Sequence, residues 1–204
     1  MFRGVRYIRV NYMPDNDVPA GTFSRFGMGE TPVPAPRPER GGNRFAHAAA
    51  MTVVESPGTI CNQLLLAGER GSGKTRFVNF IAHSLSVSKG AGKVLLTDGA
   101  KFSRGLEEAA NNGGLEALEA ALAGLTALVI DDVHLLAVSE KNRELLGKWL
   151  NLFVGPGRQL VLASGLPASE LEGLGCGLGF NFSRGWSASL KAPAPEQVCT
   201  PQPC

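Results

Sequence analysis

The sequence predicts an α/β fold with a parallel sheet and helices packed on both of its faces, and three observations predict it. Short apolar segments alternate with helical segments through most of the 204 residues, a pattern typical of parallel sheets with helical crossovers. A glycine-rich segment at residues 68–75 joins one apolar segment to a helix. Another apolar segment ends in two carboxylates, Asp131 and Asp132, as a buried parallel strand does at the carboxyl edge of a sheet.

The spacing of apolar residues assigns the individual elements. Asn43 is the expected N-cap of an alanine-rich helix over residues 44–50. Phe77, Ile81 and Leu85 recur at helical spacing after the glycine-rich segment. Further helices are predicted at residues 101–110, 115–123 and 141–153, the last with its apolar residues on one stripe. Strands are predicted at residues 63–67, 93–97, 127–131 and 159–163.

Proline marks the boundaries of the predicted folded unit. Ten of the 13 prolines lie before residue 39 or after residue 192. The run at residues 31–38 is typical of an extended polyproline-like linker, and the proline-rich end is not expected to fold. The predicted organisation is an N-terminal segment with a proline-rich linker at 1–42, a core at 43–191 and a disordered tail at 192–204.

Composition and charge exclude several classes of protein. The net charge of +2 does not by itself indicate nucleic acid or a membrane surface as partner. No apolar run approaches the length of a membrane span, and the N-terminus lacks the apolar core of a signal peptide. The four cysteines form no C-x-x-C pair, which indicates reduced thiols in a cytoplasmic protein and no zinc site.

The glycine-rich segment has the sequence of a P-loop. It reads Gly-Glu-Arg-Gly-Ser-Gly-Lys-Thr, which fits G-x-x-x-x-G-K-T between a strand and a helix. Backbone N–H groups and the helix N-terminus attract phosphates there, Lys74 is expected to reach the terminal phosphates, and the Thr75 hydroxyl to ligate Mg²⁺. The predicted ligands are therefore ATP or ADP with Mg²⁺, and the predicted nucleotide-binding residues are Gly68, Gly71, Ser72, Gly73, Lys74, Thr75 and Arg76.

The two carboxylates complete the predicted metal site. Asp131 is expected to hold Mg²⁺, directly or through water, and Asp132 to polarise the attacking water. The alternative is a buried strand that ends in an ordinary acidic turn. The three histidines, His47, His83 and His134, are interpreted as partly exposed helix or loop residues without a catalytic role.

Beyond these motifs, the chain from about residue 22 to residue 190 resembles the ATPase domain of the bacterial replication initiator DnaA and its short relative Hda. The resemblance rests on Asn-Arg-Phe-Ala-His-Ala-Ala-Ala at 43–50, the P-loop, Lys-Phe at 101–102, Ile-Asp-Asp-Val-His at 130–134, the helix ending near Asn151, and residues 159–164 followed by Pro167. It implies the AAA+ type of P-loop NTPase, a three-layer sandwich. It also implies that Ser164 is a catalytic residue that hydrogen-bonds the attacking water or the γ-phosphate. The other interpretation is that Ser164 caps the next turn.

The sequence departs from the family at several points. Aligned through Gly185, Asn181 stands where the family carries the arginine that reaches a neighbour's ATP, and Arg184 lies three residues on. The sequence is expected to lack the α-helical lid and the DNA-binding helix-turn-helix. The segment between the second and third strands, normally basic and bound to single strands, has no Lys or Arg between Arg104 and Lys141.

These features predict a regulatory AAA+ protein that binds ATP or ADP and engages a replication protein, either a full-length initiator or the replicative helicase. A hetero- or homo-oligomer is compatible with this interpretation, whereas direct sequence-specific DNA binding is not expected. Three alternatives remain open. One is an active ATPase such as a helicase loader of the DnaC type, another is a fragment of an initiator, and the third is a binding module with a structural nucleotide.

Overall fold

The computed structural model of the chain describes residues 22–30, 32, 34–38 and 43–192. The helices are α1 Thr22–Arg25, α2 Arg44–Glu55, α3 Lys74–Lys89, α4 Gly99–Asn111, α5 Leu115–Ala123, α6 Arg143–Phe153 and α7 Glu172–Leu178. The strands are β1 Leu64–Gly68, β2 Val94–Asp98, β3 Ala127–Asp131, β4 Gln159–Ser164 and β5 Trp186–Leu190. Among these residues no helix is long and apolar enough to cross a membrane.

The five strands form one parallel sheet with the order β2-β3-β4-β1-β5. Helices α2 and α3 pack on one face around residues such as Leu64, Leu66 and Val129. Helices α4 to α7 pack on the other face, around residues such as Leu65 and Leu128. Successive side chains of a strand point to opposite faces, so the three inner strands, β3, β4 and β1, need apolar residues at nearly every position. The predicted three-layer α/β architecture is confirmed.

A segment ahead of the predicted core is part of the folded unit. Phe26 is 7% exposed and Met28 is fully buried against the α4–α7 side of the sheet, and Glu30 makes an antiparallel bridge with Leu96. The Glu30 carboxylate also pairs with the Lys101 ammonium at the start of α4. Residues 22–30 therefore pack on the folded unit although the predicted core begins at residue 43.

The start of α2 differs from its predicted capping. Asn43 stands at the N-cap but makes no capping bond with its side chain. Its amide instead donates to Lys191 O at 3.1 Å, and its Oδ1 accepts from Lys191 N at 2.8 Å. These two bonds attach α2 to the end of β5, a strand that was not predicted. The predicted tail at 192–204 lies outside the described residues except for residue 192.

The role of the early segment is testable through Met28. Met28→Ala should lower the free energy of unfolding by about 2–5 kcal/mol, because it removes a fully buried side chain and leaves a cavity. Chemical denaturation followed by circular dichroism measures this value. Met51→Ala on the partly exposed face of α2 is the matched control and should cost less. Equal, small losses for both variants would show that residues 22–30 do not belong to the core.

Candidate nucleotide-binding site

The loop between β1 and α3 takes its shape from two glycines. Gly71 and Gly73 have φ values of +82° and +93°, a region that residues with a Cβ rarely adopt. Gly73 is the N-cap of α3, so the unpaired N–H groups of the helix's first turn face the loop. Phe77, Ile81 and Leu85 are buried under the sheet, as predicted, and they fix the direction of the helix. The loop is therefore held against the positive end of α3.

Lys74 is the central cation of this loop. Its residue is 8% exposed, and its Nζ donates to the backbone carbonyls of Gly68 at 2.7 Å and Glu69 at 3.0 Å. The loop thus curls around the ammonium group. Neutral carbonyls satisfy two of its three donors. Among the described residues, the Lys74 ammonium forms no salt bridge with a carboxylate. An anion in the loop would supply that partner.

Thr75 and Asp131 meet beside the loop. The Thr75 hydroxyl donates to Asp131 Oδ2 at 2.7 Å, and Asp131 Oδ1 accepts from the backbone N of Asp132 at 2.9 Å. Burial raises the pKa of the Asp131 carboxyl, and the hydrogen bond from Thr75 opposes that rise. A hydroxyl and a carboxylate oxygen suit Mg²⁺, which is usually bound by one or two carboxylates, phosphates and several waters. The two predicted metal ligands are therefore brought together.

A cavity of about 600 Å³ opens in front of the loop. Its wall combines backbone from the glycines, cations and groups from the ends of β3 and β4: it is lined by Arg70, Gly71, Gly73, Lys74, Thr75, Asp132, His134 and Gly165. Of the other predicted residues, Ser72 is buried with an unpaired Oγ, Arg76 is exposed on α3, and Gly68 packs against Leu190. Arg70, His134 and Gly165 were not predicted to belong to the site.

The wall at the end of β3 and β4 is built from three residues. Asp132 adopts a left-handed conformation with φ of +45°, and the 3-10 turn Val133–Leu135 follows it. The backbone N of Gly165 donates to His134 Nδ1 at 3.2 Å, and Asp132 Oδ1 lies 4.0 Å from the same nitrogen. One sequence signal was available for His134: it lies three residues after Asp131, just beyond the strand that delivers the acid.

Ser164 lies at the end of β4, as predicted, but its hydroxyl is turned to the backbone. The residue is fully buried, and its Oγ accepts from Leu166 N at 2.9 Å. This is the capping geometry that was the alternative interpretation, and the neighbouring Gly165 lines the cavity instead. The hydroxyl retains one proton to donate, so its predicted catalytic role stays a prediction.

Asn181 and Arg184 lie at the amino ends of the parallel strands, opposite the carboxyl ends that carry the P-loop. Both are exposed and precede β5, whose first residue Trp186 pairs with the first residue of β1. A strand of five residues separates them from the P-loop edge, roughly 16 Å at 3.3 Å per residue. Neither side chain reaches the cavity of its own chain. An interaction of either one with a nucleotide would require a neighbouring molecule.

Comparison with known proteins identifies the relatives of this architecture. The model of the bacterial DnaA ATPase domain matches residues 39–189. The chromosomal replication initiator protein DnaA of Picosynechococcus sp. is 32% identical over 84% of this chain, which spans 36% of that protein. The chain therefore covers about a third of the length of the curated relatives it matches.

Solved structures show the same fold. Domain III of the Thermotoga maritima replication initiation protein DnaA is 27% identical with a TM-score of 0.66, over 86% of this chain and 69% of that one. A replication initiator DnaA bound to AMPPCP and single-stranded DNA is 22% identical with a TM-score of 0.66, over 88% of this chain and 52% of that one. The AAA+ fold expected from the sequence is confirmed.

The cation of the loop provides a test of the site. Lys74→Ala should weaken binding of Mg²⁺-ATP roughly ten- to a hundredfold, because it removes a charge-assisted contact to phosphate. Titration calorimetry measures the affinity. Lys89→Ala, at the exposed end of the same helix, is the matched control and should leave it unchanged. An unchanged affinity for Lys74→Ala would rule out the P-loop as the nucleotide site.

Proposed function

The chain belongs to the bacterial DnaA ATPase domain family, and on that premise we propose that it is a nucleotide-binding AAA+ module that regulates initiation of chromosomal replication. It binds ATP or ADP with Mg²⁺ in the cavity beside the P-loop. The observation that carries the proposal is the 2.7 Å hydrogen bond from Thr75 to Asp131. It joins the P-loop helix to the acidic end of β3 at the one place where a metal ion would touch both the protein and the phosphates.

The described residues fit this ligand in charge and shape. The glycine backbone at 71 and 73 leaves the loop N–H groups open toward the cavity, Lys74 and Arg70 provide positive charge, and Asp131 with Thr75 provides oxygen ligands. Bound Mg²⁺ would neutralise part of the phosphate charge. Asp132 is exposed enough to contact solvent in the cavity, which supports its proposed role of polarising a water molecule.

A protein partner on the nucleotide face is supported by exposed apolar residues at the rim of the cavity. Leu135 is 51% exposed and Leu166 is 37% exposed, and each directly follows a residue that lines the cavity. Exposed apolar groups beside a functional cavity are typical of an interaction surface. We propose a full-length replication initiator as the partner, because the proteins matched in sequence are initiators. This favours the regulatory interpretation over a helicase loader.

Binding and turnover require different groups in this proposal. Interactions that hold the nucleotide equally in the ground state and the transition state do not accelerate its hydrolysis. A cation that stabilises charge on the transferring phosphoryl group acts mainly in the transition state, and it therefore accelerates hydrolysis. Asn181, which stands at the family's arginine position in the resemblance, carries no charge. The nucleotide therefore serves chiefly as a bound ligand in this chain.

Turnover by the isolated chain should accordingly be close to background. Arginines of this kind contribute about 10³–10⁵ in rate where they act in nucleotide hydrolases. Steady-state phosphate release with Mg²⁺-ATP measures turnover, and nucleotide analysis of the purified chain establishes whether ADP is retained. Robust hydrolysis that Arg184→Ala abolishes would contradict the proposal and show that Arg184 supplies the missing cation between neighbouring molecules.

DNA binding by the chain itself should be weak. Four glutamates, Glu107, Glu108, Glu116 and Glu119, lie on α4 and α5, the helices between β2 and β3, and only Glu119 is paired with a lysine, Lys148, among the described residues. Carboxylates repel the phosphates on which nucleic-acid affinity depends. We expect salt-sensitive, sequence-blind binding with Kd at or above about 10⁻⁶ M at physiological salt.

Fluorescence anisotropy with duplex and single-stranded oligonucleotides measures this affinity. Replacing Glu107, Glu108 and Glu116 with lysine is the matched variant, and it should tighten binding if the acidic surface is the cause. Submicromolar, sequence-selective binding by the unmodified chain would contradict the regulatory role and favour an initiator.

A further inference from the structure

His134 lines the cavity in front of the P-loop. Neither the P-loop motif nor the two carboxylates at the end of β3 assign it a role. It is the third group with a nitrogen donor in the cavity wall, beside Arg70 and Lys74. Its side chain is 23% exposed, so the ring is largely enclosed and faces a defined environment.

The hydrogen bond from Gly165 determines which ring nitrogen of the neutral His134 side chain carries the proton. Because His134 Nδ1 accepts the Gly165 N–H at 3.2 Å, the neutral imidazole carries its proton on Nε2. Within the described part of the chain, no residue accepts a hydrogen bond from that Nε2. The ring therefore presents one oriented donor whose acceptor is not a protein group.

Gly165 also provides the space for this arrangement. A Cβ at residue 165 would stand 3.2 Å from both Nε2 and Cε1 of His134, tighter than ordinary van der Waals contact between carbon atoms. Strand β4 lies between β1 and β3, so the ends of β3 and β4 meet directly beside the P-loop. The glycine allows the imidazole to pack across the end of β4 at that point.

We propose that His134 contacts the terminal phosphate of a bound nucleoside triphosphate, and that Gly165 positions it. The inference rests on the proposed nucleotide binding. Thr75 and Asp131 would hold Mg²⁺ and so neutralise charge on the terminal phosphates, and His134 lies on the turn that begins two residues beyond Asp131. Its Nε2–H is a donor for an oxygen of the terminal phosphate, a group that a nucleoside diphosphate lacks. His134 thereby distinguishes ATP from ADP.

Calorimetry with Mg²⁺ and two ligands, ADP and the non-hydrolysable analogue AMPPCP, tests the contact. His134→Phe keeps an aromatic ring without the donor, and we expect it to weaken AMPPCP about tenfold or more while ADP affinity stays within about twofold. Gly165→Ala should reduce AMPPCP affinity in the same direction, because its methyl group displaces the ring. His83→Phe on α3, about nine residues or 13 Å along the helix from Lys74, is the matched control and should change neither affinity.

An observation on the unmodified chain avoids any dependence on the folding of a variant. The chain has three histidines, so ¹⁵N-histidine labelling gives three ring spin systems, and separate mutation of His47 and of His83 leaves the third system assigned to His134. The His134 ring should be Nε2-protonated without ligand and should shift on addition of Mg²⁺-AMPPCP but not of Mg²⁺-ADP.

The outcomes separate this inference from the proposed function. Equal weakening of AMPPCP and ADP by His134→Phe, or equal ring shifts with both ligands, would overturn the terminal-phosphate contact and leave nucleotide binding intact. Unchanged affinities in that variant would overturn it as well. Failure of the unmodified chain to bind either nucleotide would instead overturn the proposed function, and this inference with it.

Discussion

The partly buried carboxylate of Asp131 is the constraint on which the arrangement of the site depends. Burial disfavours its ionised form and raises its pKa, so the fold must place donors around it. One donor is the hydroxyl of Thr75 on α3 and the other is the backbone N of Asp132. Each comes from a different part of the chain, and together they fix the P-loop helix relative to the end of β3. A cation at this position would further favour the ionised carboxylate.

The strand order places three turns beside Asp131, and these turns form the cavity. Because β4 is inserted between β1 and β3, the P-loop, the turn after β3 and the turn after β4 all emerge at one edge of the sheet. This is the edge at which open parallel sheets bind ligands. Inner strands buried on both faces anchor the three turns, and the hydrogen bond from Gly165 to His134 joins two of them.

Sequence patterns predicted the elements that are determined by residues close together in the chain. The glycines of the P-loop, the lysine beside them, the apolar strand before them and the helix after them are contiguous in sequence, so the P-loop was found from them. Strands β1 to β4 were found from short contiguous apolar runs. The missed parts depend on contacts between distant residues. Strand β5 is an edge strand with one covered face, so only part of its side chains is apolar. Met28 is apolar but isolated in sequence, and its burial depends on the space left by Gly105. The pairing of His134 with Gly165 joins two turns that are 31 residues apart.

The two ends of the parallel strands differ in the same way. The groups that would hold a nucleotide lie within one edge of one sheet, and they are held by the packing that also makes the fold. Asn181 and Arg184 lie at the amino ends of the strands, so either residue could contact a nucleotide only across an interface. A replacement there does not change the residues that line the cavity of the chain. An uncharged residue at position 181 is therefore compatible with an intact binding site, and in the proposed contact His134 would add a donor that does not depend on a neighbour.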